Sequence, residues 1–501
     1  EVTAFGQVAL SPDVKILGPV DDLGRLKIQV TNRGGGIGRI QVLINDNELL
    51  ADAREKNFNP ATPKATLTLD LSPARIAPGE DNPVRIIAWN QEDYLSSRPV
   101  QTAWIAPGTP DKKHPELYAI ISGISSYDSP DLHLNFAAKD ADNMARAIAL
   151  AANREFGPEH VHLTVLSTTT DTPESQPSKD NLARAFDEAK KSKVRDVLLV
   201  YLAGHGVSQN DTYVYPTKQT RTLDMSDPAI LGQSGVTINE LTAWIKQIPA
   251  HHKVLIIDTC AAGAAAAKLT EKRGAPSAQI RSLDRLVGTT GFHVLMGSAA
   301  NAVSYEASQY GEGLLTYSLL QGMKGAALRD EEFVDVNTLF QYSAAQVQAL
   351  AKNIGGIQEP QILGQDESNF DLGRLLNEDK EQIPLAIVKP LILRPVLLNV
   401  DAGEDNLGLM PALRKRLRDE SYTSARGDHH DPAAIFVDQE EMPDAIRPTG
   451  TYAVTDHSVA VNLVLKRNDK VVKIPIEGST DDQDELVAKI FAALIQSSKT
   501  L

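Results

Sequence analysis

The sequence predicts an α/β protein. Its central domain carries a mostly parallel sheet with helices on both faces, and it is preceded by a β-sandwich and followed by a small α/β domain. Three observations predict this. Residues 197–206 (Val-Leu-Leu-Val-Tyr-Leu-Ala-Gly-His-Gly) and 254–263 (Val-Leu-Ile-Ile-Asp-Thr-Cys-Ala-Ala-Gly) are unbroken β-favouring runs ending in polar turns, the pattern of strands buried on both faces. Strand-like and helical periodicities alternate from Leu117 to about Leu376, as parallel sheets require. The first 107 residues instead alternate apolar and polar positions between turn-rich segments.

In chain order, 25–31, 39–44, 65–71 and 84–90 read as strands of an immunoglobulin-like sandwich spanning residues 1–107. Gly34, Gly35, Gly36 and Gly38 suggest a phosphate loop, but a strand rather than a helix follows, so the segment reads as a hairpin turn. Residues 106–114, with Pro107, Gly108 and Pro110, form the linker.

The central domain, 114–376, opens with a strand at 118–124, a helix at 136–151 and a strand at 161–166. Ser178 caps a helix that places Leu182, Ala185, Phe186 and Ala189 on one face. The strand at 197–206, a helix at 237–246, the strand at 254–263 and a strand at 292–297 follow, then helices at 314–323 and 336–353. From 377 the character changes. Residues 383–400, with Pro384, Pro390 and Pro395, read as a strand or extended connector. A basic amphipathic helix at 407–417, two strands within 450–467 turning at Asp456, and a helix at 486–495 complete a domain over 383–501.

Composition narrows the function. With 501 residues, 42% hydrophobic and 23% charged, the chain has room for about three domains. No stretch offers the 18 or more apolar residues of a membrane helix, so a soluble, cytoplasmic protein is expected. The net charge of −15 argues against nucleic acid and anionic membranes and leaves room for a basic protein substrate. The single cysteine excludes an internal disulfide. The chain begins at Glu1 without a methionine, which suggests a processed or trimmed piece.

That cysteine, Cys260, stands at the carboxyl end of a buried strand, where open α/β sheets place their sites. A lone free cysteine is more often a small buried hydrophobe. The second run changes that reading, because it ends in His205 between two glycines, 55 positions upstream. Neighbouring parallel strands would set the imidazole beside the thiol, able to take its proton and return it to a leaving amine. His251-His252 and His429-His430-Asp431 offer metal-type ligands without a further ligand at helical spacing, so solvated surface is expected for both and no metal is assigned.

The segments 201–206 (Tyr-Leu-Ala-Gly-His-Gly) and 258–263 (Asp-Thr-Cys-Ala-Ala-Gly) resemble the histidine and cysteine boxes of the caspase and metacaspase family. Residues 136–144 are similar to the first-helix signature of metacaspases, 297–317 to the segment leading into the small-subunit helix, and 358–361 to the closing strand. The last domain is weakly similar to the amino-terminal domain of TolB-like proteins. The resemblance implies a caspase fold and peptide hydrolysis through a thioester acyl-enzyme. Cys260 would attack, His205 would act as acid and base, and the amides of Cys260 and Gly206 would bind the oxyanion, each such donor being worth roughly 3 to 4 kcal/mol. No third orienting residue stands out.

The positions matching the acidic pocket of metacaspases are Asp140 and Asp258, with Ser298 also at the substrate site. Such a pair favours Arg, then Lys, and disfavours acidic residues before the cut. The family often has serine where Ala203 stands, so one pocket hydrogen bond is missing. Asn239-Glu240 stands where a calcium-binding pair of aspartates is expected, so calcium is not supported and no cofactor is assigned. A catalytically silent scaffold is the alternative from another class, and an Asp-specific caspase would need a basic pocket instead. Arg273, Arg281 and Arg285, in a Gly/Pro/Ser-containing stretch after the cysteine strand, are the expected sites of self-cleavage, and partner binding through the outer domains is the other route of regulation.

Overall fold

The computed structural model describes residues 9–72, 75–209, 212–261, 286–297, 299–300, 310–353, 357–364, 369–386, 388–421, 433–438, 440–442 and 444–501. Arg273, Arg281, Arg285, Ser298 and the His429–Asp431 group lie outside these residues, as does the Cys260 side chain, although the Cys260 backbone is described.

The amino-terminal region is antiparallel β. Strands β1 (Asp13–Ile16), β2 (Arg25–Thr31), β3 (Ile40–Ile44), β4 (Asn47–Leu50), β5 (Lys64–Asp70), β6 (Asp81–Ala88) and β7 (Val100–Ile105) form two sheets, ordered β1-β2-β5 and β4-β3-β6-β7. Alternation puts Leu26, Ile28 and Val30 of one sheet and Val84 and Ile86 of the other into a shared core. The glycine-rich stretch is not a hairpin turn, because β2 and β3 belong to different sheets. It crosses between them against other backbone, where a Cβ on Gly35 would sit 2.2 Å from the Leu10 carbonyl oxygen and one on Gly38 would sit 2.0 Å from that of Asn90.

The central sheet runs β9 (Val161–Ser167), β8 (Leu117–Gly123), β10 (Val197–Gln209), β13 (His252–Ala261), β14 (His293–Met296), all parallel, and closes with antiparallel β18 (Gln361–Leu363). Beyond Ala203, β10 continues outward and pairs with β11 (Thr212–Pro216), which carries β12 (Gly235–Thr237). Leu199, Tyr201 and Ala203 face one layer, packed with α1 (Ala137–Glu155), α5 (Leu314–Gln321) and α6 (Val336–Asn353). Leu198, Val200 and Leu202 face the other, with α2 (Lys179–Ala189) and α4 (Ile238–Ile245). The helix starts follow from their caps: Ser178 Oγ accepts from the Asn181 amide at 3.1 Å, and Thr237 and Glu240 form a capping box. α1 lies unusually close to β8, since a Cβ on Gly123 would meet Ala141 Cβ at 2.4 Å. That approach fixes the depth at which α1 delivers its side chains.

The β3–β4 turn, Asn45-Asp46, has both residues at positive φ and docks on the base of the central sheet. His251 Nδ1 meets the Asn45 carbonyl at 2.8 Å, and Lys253 Nζ donates to Asn47 Oδ1 and to the Thr290 carbonyl at 3.2 Å. The expectation of a solvated His251-His252 pair is therefore corrected: His251 is bonded across the junction, and the His252 ring packs between His251 and Phe370 at 4.7 and 4.5 Å.

The last region sets β20 (Leu391–Leu393) parallel to β22 (Ile435–Val437), and β21 (Val396–Asn399), β23 (Arg447–Thr455), β24 (Ser458–Arg467) and β25 (Lys470–Ser479) in a second sheet, with α8 (Leu409–Ser421) and α9 (Gln483–Ser498) packed on a common core. The 383–400 stretch thus yields two short strands in different sheets. Strand β25 escapes sequence reasoning because Pro475 sits in its middle, a position tolerated only at a sheet edge, where β25 lies.

Candidate active site

The parallel register of β10 and β13 sets Ala203 opposite Asp258 and His205 opposite Cys260. Both candidate reacting residues therefore stand at the carboxyl edge of adjacent central strands, as their two apolar runs require.

The glycines around His205 have steric causes. Gly204 has φ 151°, a conformation that side chains disfavour, and a Cβ there would sit 2.7 Å from the Tyr127 hydroxyl. A Cβ on Gly206 would sit 2.6 Å from Thr259 Oγ1. The Tyr127 hydroxyl occupies the space thus cleared and accepts from the His205 backbone N–H at 2.8 Å.

The imidazole is half-buried and held at one nitrogen. Nε2 lies 2.9 Å from the Leu132 carbonyl, which can only accept, so Nε2 carries the hydrogen and the neutral ring keeps its lone pair on Nδ1. Nδ1 is buried without a partner among the described residues. Burial lowers the pKa of His205 below the ordinary histidine value, with the Leu132 carbonyl pulling the other way. The ring can thus accept a proton at Nδ1. The orienting group that the sequence did not reveal is a main-chain carbonyl from the turn at Pro130–Leu132, which has no side-chain signature.

Asp140 and Asp258 come together at the amino end of α5. Asp140 Oδ2 accepts from the Gly313 amide at 3.0 Å, and Asp258 Oδ2 accepts from the Thr316 amide at 3.2 Å and from the Thr316 hydroxyl. Tyr201 OH lies 2.5 Å from Thr316 Oγ1 and 3.4 Å from Asp258 Oδ2, bracing that carboxylate from the strand below. A Cβ at position 313 would sit 3.0 Å from Asp140 Oδ2 and 3.2 Å from Asp258 Oδ2, a tight fit that glycine avoids. The first-turn amides and the positive end of the helix dipole offset part of the cost of holding two acids here.

That offset is partial. Burial, then the charge of Asp258, raises the Asp140 pKa well above the ordinary carboxyl value, and burial raises that of Asp258 against the Thr316 bonds. Asp140 Oδ1 has no partner among the described residues. Ala203 is buried beside Asp258 in the register and offers no hydroxyl to the pocket. The structure adds a third acid, Glu312, fully buried, whose carboxyl burial pushes up to about 7. Thr316, Tyr127 and Glu312 escaped sequence reasoning because none is distant from other polar residues or marked by spacing.

No group of three potential ligands among the described residues is placed to hold a metal ion. The Glu240 carboxylate is engaged by Thr237 and by Lys179 Nζ at 2.7 Å. No described helix is long and apolar enough to cross a membrane.

A comparison with curated proteins found no match. A family model for the caspase domain of peptidase C14 matches residues 116–370, from the first strand of the central sheet to just past its closing strand. The match covers about half of the chain and takes in both strand ends, Asp140 and the amino end of α5. By fold and by this match, the chain belongs to the caspase-domain family of cysteine peptidases, peptidase C14.

Proposed function

We propose that the chain is an endopeptidase that cuts proteins after Arg, and less efficiently after Lys. The observation that carries this reading is the seating of Asp140 and Asp258 around Gly313, two acids with no cation between them among the described residues. A guanidinium supplies the missing charge and up to five N–H donors, and an ammonium supplies three. An acidic side chain there would add a further repelling carboxylate.

In the reaction, His205 Nδ1 takes the Cys260 thiol proton, the thiolate adds to the scissile carbonyl, and the amides of Cys260 and Gly206 receive the oxyanion. The imidazolium then protonates the leaving amine, and water hydrolyses the thioester with His205 as base. A buried neutral ring with Nε2 fixed on Leu132 suits both proton transfers. Self-cleavage after Arg273, Arg281 or Arg285, which follow Cys260 closely in sequence, is the regulatory step that fits this specificity.

Profiling the full chain against a peptide library varied at the residue before the cut tests the specificity: turnover after Arg and Lys is expected, and efficient turnover after Asp would overturn it. Intact-mass measurement of wild type and Cys260→Ala after incubation tests self-cleavage. A wild-type chain that stays whole while cutting added Arg substrates would rule it out.

A further inference from the structure

Two acids are enough to attract a basic side chain, yet a third is buried close enough to exchange charge effects with them. Glu312 immediately precedes Gly313, the residue whose amide donates to Asp140, and it is 0% exposed. Its Oε1 accepts from Asn143 Nδ2 at 2.6 Å, and Asn143 lies one helical turn beyond Asp140 on α1. Its Oε2 is buried and makes no hydrogen bond of ordinary geometry with the described residues, the Ala386 backbone N–H approaching the carboxyl only loosely, and Oδ1 of Asp140, itself 3% exposed, likewise has none.

The large majority of buried structural acids have both oxygens satisfied, because an orphaned one costs stability. Here two carboxyl oxygens without such a bond come from neighbouring elements, α1 and the segment leading into α5. The nearby lysine does not answer them, since Lys139 Nζ is bonded to the Gly311 carbonyl at 3.0 Å.

We propose that Glu312 is a specificity-determining residue of the pocket, a third carboxyl that holds a proton in the free protein and releases it to solvent when a basic side chain is seated. The inference rests on the Arg/Lys reading above. The charge balance requires it: three adjacent buried carboxyls cannot all ionise without a cation, and a guanidinium or ammonium, which stays charged throughout, lets one more of them do so.

The groups facing Glu312 agree on the direction. Burial raises its pKa to about 7, and Asp258 on β13 adds to that rise. Asn143 and Lys139 on α1 and the Ala386 backbone N–H on the connector oppose it, while Asp140 and Tyr317 feel its charge in turn. Lys389 of the same connector passes beside Gly311. Proton release on binding is therefore expected below about pH 7, where the free carboxyl still holds its proton.

The test uses the full chain with Cys260→Ala, which removes thiol titration and turnover, and a short peptide with a central Arg. Calorimetry in two buffers of different ionisation enthalpy counts the protons released at about pH 6.5. We expect Glu312→Gln to release at least about half a proton fewer and to bind the peptide tenfold or more weakly at about pH 8, with the difference shrinking as the pH falls to about 5. Asn143→Leu, which removes a donor to the ionised form, moves the affinity rise to higher pH without abolishing it. Equal proton release and equal affinity with and without Glu312→Gln, while Arg peptides still bind, overturn the role of Glu312 and leave the pocket reading intact. Binding of Asp-centred but not Arg-centred peptides overturns the pocket reading itself, and this inference with it.

Discussion

The two ends of strand β13 bury ionisable groups of opposite sign and treat them differently. At the amino end Lys253 is completely buried, and burial lowers its pKa to about 7. Its amine is nevertheless bonded to Asn47 and to the Thr290 carbonyl, and neighbouring His251 is bonded to the Asn45 carbonyl. At the carboxyl end burial raises Asp258, and the surrounding polar atoms are left over: Oδ1 of Asp140, Oε2 of Glu312 and Nδ1 of His205 have no partner among the described residues. The same strand thus ends in a fully bonded junction on one side and in a buried cluster with unmet hydrogen-bonding capacity on the other. Burial is common to both ends; what separates them is the hydrogen-bonding capacity left unused at the carboxyl end.

The comparison is broken most severely at the dyad. Cys260→Ala should abolish hydrolysis of Arg-ended peptides and His205→Ala should nearly do so, since thiolate formation and leaving-group protonation share that pair. More than a few per cent of wild-type kcat/KM in either variant, with the circular dichroism spectrum unchanged, would mean that the register pair is not the reacting pair.

One step outward lies the pocket. Asp258→Ala leaves Asp140 without its partner acid and should cost Arg substrates roughly 2 to 5 kcal/mol, on the order of a hundredfold or more in kcat/KM, while neutral substrates change little. An equal loss on Arg, Lys and Leu substrates would show that Asp258 supports the fold of the site rather than its charge.

A smaller effect is expected at Tyr127. Replacing it by Phe strands the His205 backbone N–H and should cost about 1 to 3 kcal/mol in kcat/KM, with the substrate preference unchanged. Steady-state kinetics on Arg and Lys peptides would check both parts, and an altered Arg-to-Lys ratio would contradict them.

At the fully bonded end the expected effect on activity is nil. Lys253→Met should leave kcat/KM unchanged and raise stability at neutral pH by no more than about 1 to 2 kcal/mol, because the removal of a costly buried amine is set against the Asn47 and Thr290 oxygens that lose their donor. The folded pKa of Lys253 lies below its unfolded value, so the unfolded chain holds the proton more tightly. The penalty is full below about pH 7 and is relieved as the pH rises toward the unfolded value, so the stability gap should close between about pH 7 and pH 10. Denaturant melts across that range would show it. A fall in activity in the variant would mean that the sandwich junction and the active site communicate along β13.

What the sequence determined by itself was the part written in strong local patterns. Two unbroken β runs ending in His205 and Cys260 placed these residues at the edge of a parallel sheet, and the register bears out the adjacency. Helix starts at Ser178 and Thr237 were legible because a cap is a local hydrogen bond between residues three apart. Tertiary structure alone decided the rest. The Leu132 carbonyl that fixes the imidazole is main chain, and any residue could have supplied it. The Gly34–Gly38 stretch looked like a turn, but its glycines answer to the backbone of Leu10 and Asn90, far along the chain. His251-His252 looked solvated because their cover, the docked Asn45-Asp46 turn on His251 and Phe370 on His252, comes from far along the chain. Glu312 and Asn143 are 169 positions apart, and their meeting depends on how closely α1 sits on β8 beside the amino end of α5. Contacts of that kind arise from packing between elements, which no local periodicity encodes.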